Sequence, residues 1–174
     1  MKRFLVRAAF VAAYLGLVAC APKPAEVPET APSPPLTGDA RERAARAAHA
    51  DPAAAAEAVS RYREARGLSA VAPDPALQRI AQAQADAMAK QNLLSHELAG
   101  SLTQRFDAAH LAKATAVENV SAGYFTLDDV MNGWRKSPGH NANLLDPKMR
   151  KLGIATAYAP GTRYLVFWAL DMSN

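Results

Sequence analysis

Cysteine is nearly absent: Cys20 stands alone among 174 residues. No intramolecular disulfide can form, so the fold has to come from a packed core and not from covalent cross-links. Aromatic residues are sparse at 7%, yet 50% of the residues are hydrophobic. That is enough for one domain of ordinary size in a chain of this length. No apolar run approaches the roughly 20 residues that a membrane-spanning helix needs. An excess of one charge is missing as well. Of the 20 Lys and Arg residues, Lys2, Arg3 and Arg7 sit at the N-terminus, leaving 17 against 16 acidic residues. Nucleic-acid binding needs a concentrated basic surface, so that class of function is set aside. Neither an HExxH nor a GxSxG motif is present, which removes two common hydrolase signatures.

What is present at the N-terminus is an ordered leader. A positive segment is followed by the apolar run Ala8–Ala19, which has the length of a signal-peptide core. It closes in Leu17-Val18-Ala19-Cys20, which resembles the lipobox of bacterial lipoproteins. The resemblance implies cleavage after Ala19 and lipidation of the Cys20 thiol, and this accounts for a lone cysteine in an exported protein. Several fatty chains on one residue anchor a protein firmly, whereas one does so only marginally. The chain is therefore expected to be membrane-anchored and extracytoplasmic. Ala21, in place of an acidic retention residue, favours the outer membrane facing the periplasm.

The leader is assigned to residues 1–19 and a lipidated, Pro- and Ala-rich spacer to 20–50. The spacer's first part, APKPAEVPETAPSPPLT, has recurring prolines and nothing to form a core. Gly38 to Ala50 is either more spacer or a loosely docked helix. The domain proper, 51–174, is expected to begin where Asp51 caps and Pro52 starts a helix. Asp74-Pro75 repeats that signal, and Leu77, Ile80, Ala81, Ala85 and Met88 follow at helical spacing to about Gln91. Leu102 to about His110 suits a third helix. Thr126-x-x-Asp129 suits a capping box, with Val130, Met131 and Trp134 facing inward until Pro138 breaks the helix. From Leu152 the pattern switches to alternation on both sides of Pro160-Gly161, which predicts a β-hairpin ending the chain. Helices first and a hairpin last give an α+β class, of a size that suits a monomeric domain.

Four segments carry chemistry: Leu94-Ser95-His96, Val117-Glu118-Asn119-Val120, Trp134-x-x-Ser137-Pro138-Gly139-His140 and Asn143-Leu144-Leu145. With Tyr62-Arg63-x-x-Arg66-Gly67-Leu68 ahead of them, their order resembles the CAP superfamily. This is the group of cysteine-rich secretory proteins, antigen 5 and plant pathogenesis-related proteins, also called SCP-like. The closer likeness is to its bacterial exported branch, over about Ala53 to Asn174. The resemblance implies an α-β-α sandwich with a small antiparallel sheet between helical layers. It also implies a cleft lined by His96, Glu118 and His140. Many animal members have a second acid shortly after the tryptophan that matches Trp134. Arg135-Lys136-Ser137 stands there, so a fourth cleft acid is absent or supplied from elsewhere. Asp128 and Asp129 are better explained as acids in the first turn of a helix.

Two imidazoles and a carboxylate can bind a divalent metal such as zinc, with a position left for water. They can instead act without metal as an acid–base set, or form a polar cluster that binds a ligand unchanged. All three stay open on the residues alone. The binding cleft, for a lipid or a cell-wall fragment, is preferred over a metal-assisted hydrolase using His96, Glu118 and His140. Ser95, Asn119, Ser137 and Asn143 are expected to support those side chains from behind. His49 is expected to be solvated, and His110 to complement a helix C-terminus. Trp134 and Trp168 read as core, and Asp146 to Lys151 as a solvated loop.

Overall fold

The computed structural model describes residues 38–111 and 114–174, and the predicted leader, Cys20 and the proline-rich stretch lie outside them. The elements are α1 (Gly38–Ala47), α2 (Pro52–Glu64), β1 (Ala72–Pro73), α3 (Pro75–Gln91) and α4 (Leu102–Ala108). They continue with β2 (Ala116–Ala122), α5 (Leu127–Lys136), α6 (Pro138–Leu144), β3 (Lys151–Tyr158) and β4 (Val166–Ser173). The expected caps form. Asp51 accepts from the Ala53 amide at 2.8 Å, Asp74 from Ala76 at 2.8 Å, and Thr126 from Asp129 at 3.1 Å. Each satisfies amides that the first helical turn leaves without partners.

The sheet has the order β1-β3-β4-β2. β4 runs antiparallel to both β3 and β2, whereas β1 pairs with β3 in parallel. The sheet is thus mixed, and not antiparallel throughout. The exception is the two-residue β1, which lies along β3 only until Asp74 turns the chain into α3.

Strand alternation builds the layers. Leu152 and Ile154 of β3, with Val166, Trp168 and Leu170 of β4, face Val59 of α2, Met131 and Trp134 of α5, and Leu144 of α6. Ala155, Ala157, Phe167 and Ala169 face the other way, against Ala81, Ala85 and Met88 of α3. This is an α-β-α sandwich. Small residues on the second face let α3 lie very close to the sheet. At Gly153 there is no room for a Cβ, which would overlap the Leu77–Gln78 peptide.

Beyond β1, the edge of β3 is covered by side chains of α3. Gln78 Nε2 donates to the Ile154 carbonyl at 2.6 Å, and the Ile154 amide donates back to Gln78 Oε1 at 3.1 Å. Gln82 repeats the first contact at Thr156, at 3.2 Å. One amide thus does for β3 what a neighbouring strand would do, and closes an edge otherwise open to pairing.

Two segments are more tightly built than the sequence pattern suggests. Helix α1 is docked: Ala45 is fully buried, Arg41 donates to the Arg163 carbonyl at 2.7 Å, and Tyr158 bonds Glu42. The Asp146–Lys151 run is not simply a solvated loop. Met149 is fully buried. The buried Arg63 gathers the carbonyls of Leu144, Asp146 and Met149 at 2.7, 3.0 and 3.1 Å. No helix among the described residues is long and apolar enough to cross a membrane.

Candidate functional site

Strand β2 lies at the edge of the sheet, and its alternation serves both layers at once. Glu118 and Val120 point to the α3 side, where Val120 packs with Ala81 and Ala85. Asn119 and Ser121 point to the α5–α6 side, where Ser121 Oγ accepts from Trp134 Nε1 at 2.8 Å. Two adjacent residues can therefore position groups on opposite faces of one strand.

On the first face, His96 stands on the loop between α3 and α4, with 55% of its side chain exposed. Its Nδ1 is 2.7 Å from Oε1 of Glu118, whose side chain is only 3% exposed. A carboxylate has no proton to give, so Nδ1–H donates, and Nε2 faces away from Glu118 as an acceptor in the neutral ring and a donor in the charged one. The loop is pinned from below. Buried Gln84 donates to the Ser95 carbonyl and accepts from the Ala99 amide at 3.1 Å. Arg105 donates to the carbonyls of His96 at 3.2 Å and Gly100 at 3.1 Å.

On the second face, Asn119 Nδ2 donates to the His140 carbonyl at 3.1 Å. Asn143 Nδ2 donates to the Glu118 carbonyl and to Asn119 Oδ1, both at 2.9 Å. Tyr62 donates to Asn141 Oδ1 at 2.7 Å and ties α6 to α2. His140 is held below the ordinary imidazole value, first by burial and second by the charge of His96. The two imidazoles thus sense one another electrostatically.

The supporting residues behave unequally. Ser95 Oγ accepts from the Glu97 amide at 3.2 Å, which shapes the loop. Ser137 joins α5 to α6 without a side-chain cap bond. His49 and His110 are exposed. Trp134 and Trp168 are fully buried.

A second acid does lie beside Glu118, and sequence reasoning missed it. Asp171 of β4 is the direct cross-strand partner of Glu118 and is fully buried. Its carboxyl is raised well above the usual carboxylate range, first by burial and then by the Glu118 charge, against the opposing pull of Arg105. The available signal was a lone acid interrupting the apolar run Val166-Phe-Trp-Ala-Leu170 and Met172.

Arg105 completes the cluster. Its Nη2 is 2.7 Å from Glu118 Oε2 and its Nη1 is 3.8 Å from Asp171 Oδ1. Each oxygen of Glu118 therefore already has an N–H or cationic partner. A zinc site wants at least three protein ligands, and this arrangement offers no more than the two imidazoles. Among the described residues, no three His, Cys, Asp or Glu side chains are grouped to hold a metal ion. The set His96, Glu118 and His140 does not fit a metal centre as it stands. One cavity of about 630 Å³ lies beside Lys90 and Tyr158, and another of about 400 Å³ lies beside Arg79 and His110 and is also lined by Arg105.

The profile of the cysteine-rich secretory protein family, CAP, matches residues 56–172. The chain belongs to the CAP family. The CAP domain also matches YkwD of Bacillus subtilis strain 168, an uncharacterised protein, at 28% identity over 100 residues. That match covers 56% of this chain and 39% of the relative, so the chain spans about two fifths of that protein's length. Among solved structures, an outer surface protein of Borrelia burgdorferi is similar with a TM-score of 0.62 and 17% identity. The likeness covers 72% of this chain and 96% of that one. An extracellular protein containing an SCP domain from Bacillus anthracis is similar with a TM-score of 0.61 and 22% identity. Here 82% of this chain and 45% of the other are covered. At such identities these likenesses speak to the fold.

Proposed function

We propose that this chain is an extracytoplasmic lipoprotein, exported by residues 1–19 and anchored through Cys20. Its CAP domain would bind an envelope ligand at the sheet edge that carries His96 and His140. The observation that carries the reading is the exposed His96 clamped by its Nδ1 to the buried Glu118. A ring fixed in this way presents Nε2 with its orientation already set, which lowers the ordering cost of binding. Leu93 and Leu94, 52% and 44% exposed, lie in the same loop just ahead of His96 and add apolar surface to the polar pair. That combination suits an amphipathic ligand, and favours an envelope lipid over a bare cell-wall fragment. The descriptions of two structural relatives as an outer surface protein and an extracellular protein agree with the location.

The rival reading is a zinc-assisted hydrolase using His96, Glu118 and His140. It would need Glu118 to leave Arg105, so the geometry favours binding without a metal. The test is titration of full-length protein in detergent micelles with short-chain envelope lipids and with soluble cell-wall fragments. His96→Ala and His140→Ala are run in parallel. Loss of about tenfold in affinity, or about 1.4 kcal/mol, in both variants supports the cleft. Affinity unchanged in both would remove this edge as the binding site, and turnover of either compound would restore the enzyme reading.

A further inference from the structure

We propose that Arg105 is a built-in cation that occupies the position a divalent metal would need beside Glu118, so that the His96–Glu118 pair is organised without metal. The proposal concerns the site just described and rests on that reading only for the cleft's use. Its evidence is the geometry of the guanidinium.

Arg105 projects from the short helix α4 with 5% of its side chain exposed, and it makes four attachments. Nη2 lies 2.7 Å from Glu118 Oε2, and Nη1 lies 3.8 Å from Asp171 Oδ1. Nε donates to the Gly100 carbonyl at 3.1 Å, and Nη2 donates to the carbonyl of His96 itself at 3.2 Å. One side chain thus neutralises the carboxylate that holds the His96 ring and also grips the His96 backbone. A metal ion in a carboxylate–imidazole site performs the same two tasks, compensating the acid and fixing the ring.

The two cations exclude each other. A metal bound by Glu118 would have to displace the guanidinium from its 2.7 Å contact and leave it only the longer approach to Asp171, a buried charge poorly paired. Asp171 strengthens the argument. Two carboxyl groups facing each other across paired strands attract a cation, and Arg105 is the cation the fold supplies. A guanidinium keeps its charge at every accessible pH and cannot be removed by chelation. Lysine could supply the charge but not the planar fork that reaches Glu118, Asp171 and two carbonyls together. Arg105 is accordingly a positioning residue, acting on ligand through His96 and Glu118.

The experiment is zinc titration by calorimetry on full-length protein in detergent micelles, using wild type, His96→Ala, Arg105→Gln and Arg105→Lys. Wild type is expected to bind no zinc at this site, so any zinc uptake should persist in His96→Ala. Arg105→Gln leaves Glu118 and Asp171 uncompensated beside an imidazole. It should gain zinc affinity by about tenfold or more. Arg105→Lys should gain less than Gln, because it retains the charge. Wild-type zinc binding abolished by His96→Ala would overturn the proposal, as would a folded Arg105→Gln with no gain.

Should Arg105→Gln fail to fold, wild type decides the matter alone. With zinc added to about 1 mM, the side-chain nitrogen signals of His96 should stay in place, because its ring is held by Glu118 and not by metal. A zinc-induced shift of those signals would overturn the assignment. Neither readout involves the envelope ligand, so failure of the proposed binding function and failure of this inference remain distinguishable.

Discussion

Glu118 and Asp171 face each other directly across β2 and β4, and a single arginine, Arg105, serves both carboxyl groups. One cation against two acids at the floor of the site sets how the domain responds to pH.

Asp171 holds its proton more tightly in the native state than in the unfolded chain, chiefly because it is buried and next because Glu118 is charged. For a carboxyl shifted upward, the stabilising contribution is complete below the unfolded value, near pH 4, and is lost as pH rises through the native value. Stability in urea should therefore fall from about pH 4 upward by at most about 1.4 kcal/mol per pH unit from this group. Asp171→Asn, which mimics the protonated acid, should flatten that slope. A profile identical to wild type would mean that Asp171 ionises as an ordinary carboxylate.

His140 should report on His96. Burial is the larger cause of its lowered value, and the His96 charge the smaller. His96→Gln removes only the smaller cause. The His140 ring proton should then titrate at higher pH than in wild type, yet still below an exposed imidazole. No movement would show that the two rings do not share an electrostatic environment.

Gly153 should tolerate no side chain. A methyl group there meets the Leu77–Gln78 peptide of α3, which is backbone and cannot swing aside. Gly153→Ala is expected to cost about 3 kcal/mol or more, read from thermal or urea unfolding. Gly139→Ala is the control. It lies in α6 with nothing within 4 Å of an added Cβ, and should stabilise by up to about 1 kcal/mol.

Cys20→Ala tests the anchor independently of the fold. The variant should lose incorporation of labelled fatty acid and leave the membrane fraction. Its unfolding midpoint should match that of wild type, because the hydrophobic core is built from Ala45 onward. Retention of lipid and membrane partitioning would remove the anchoring proposal.

Much of the fold was legible because its signals are local. Asp51-Pro52 and Asp74-Pro75 announce helices through capping chemistry that acts within four residues, and the hairpin alternates with period two. β2, α6 and β1 were not legible for equally physical reasons. β2 alternates Glu118 and Val120 against Asn119 and Ser121, so both faces carry polar groups and no apolar stripe marks it. β1 is two residues long, and α6 is seven and begins at a proline that reads as a break. From spacing alone the site was legible only as separate motifs, and it was the family resemblance that placed His96, Glu118 and His140 in one cleft. That His96 meets Glu118 depends on pairing across 22 residues. Asp171 and Arg105 join them by strand register and by the placement of α4, which no spacing encodes.

Arg63 shows how a residue inside a recognised motif can have a role its neighbours do not reveal. It sits in α2, fully buried, with no carboxylate in an ion pair with it among the described residues. Its charge is met instead by carbonyl oxygens: Ser69 at 2.8 Å, Leu144 at 2.7 Å, Asp146 at 3.0 Å and Met149 at 3.1 Å. Three of those carbonyls belong to the end of α6 and the loop into β3, the stretch that follows His140 and Asn143. Removing the guanidinium leaves several buried carbonyls without donors as well as a cavity. Arg63→Ala is therefore expected to lose about 3–5 kcal/mol in urea unfolding. Arg63→Lys should recover only part of that, because an ammonium cannot span four acceptors in one plane. Because Asn143 holds Glu118 and Asn119 from the same helix, a folded Arg63→Lys should also broaden the His140 ring signals. Wild-type stability in both variants would mean that water serves those carbonyls as well as the guanidinium does.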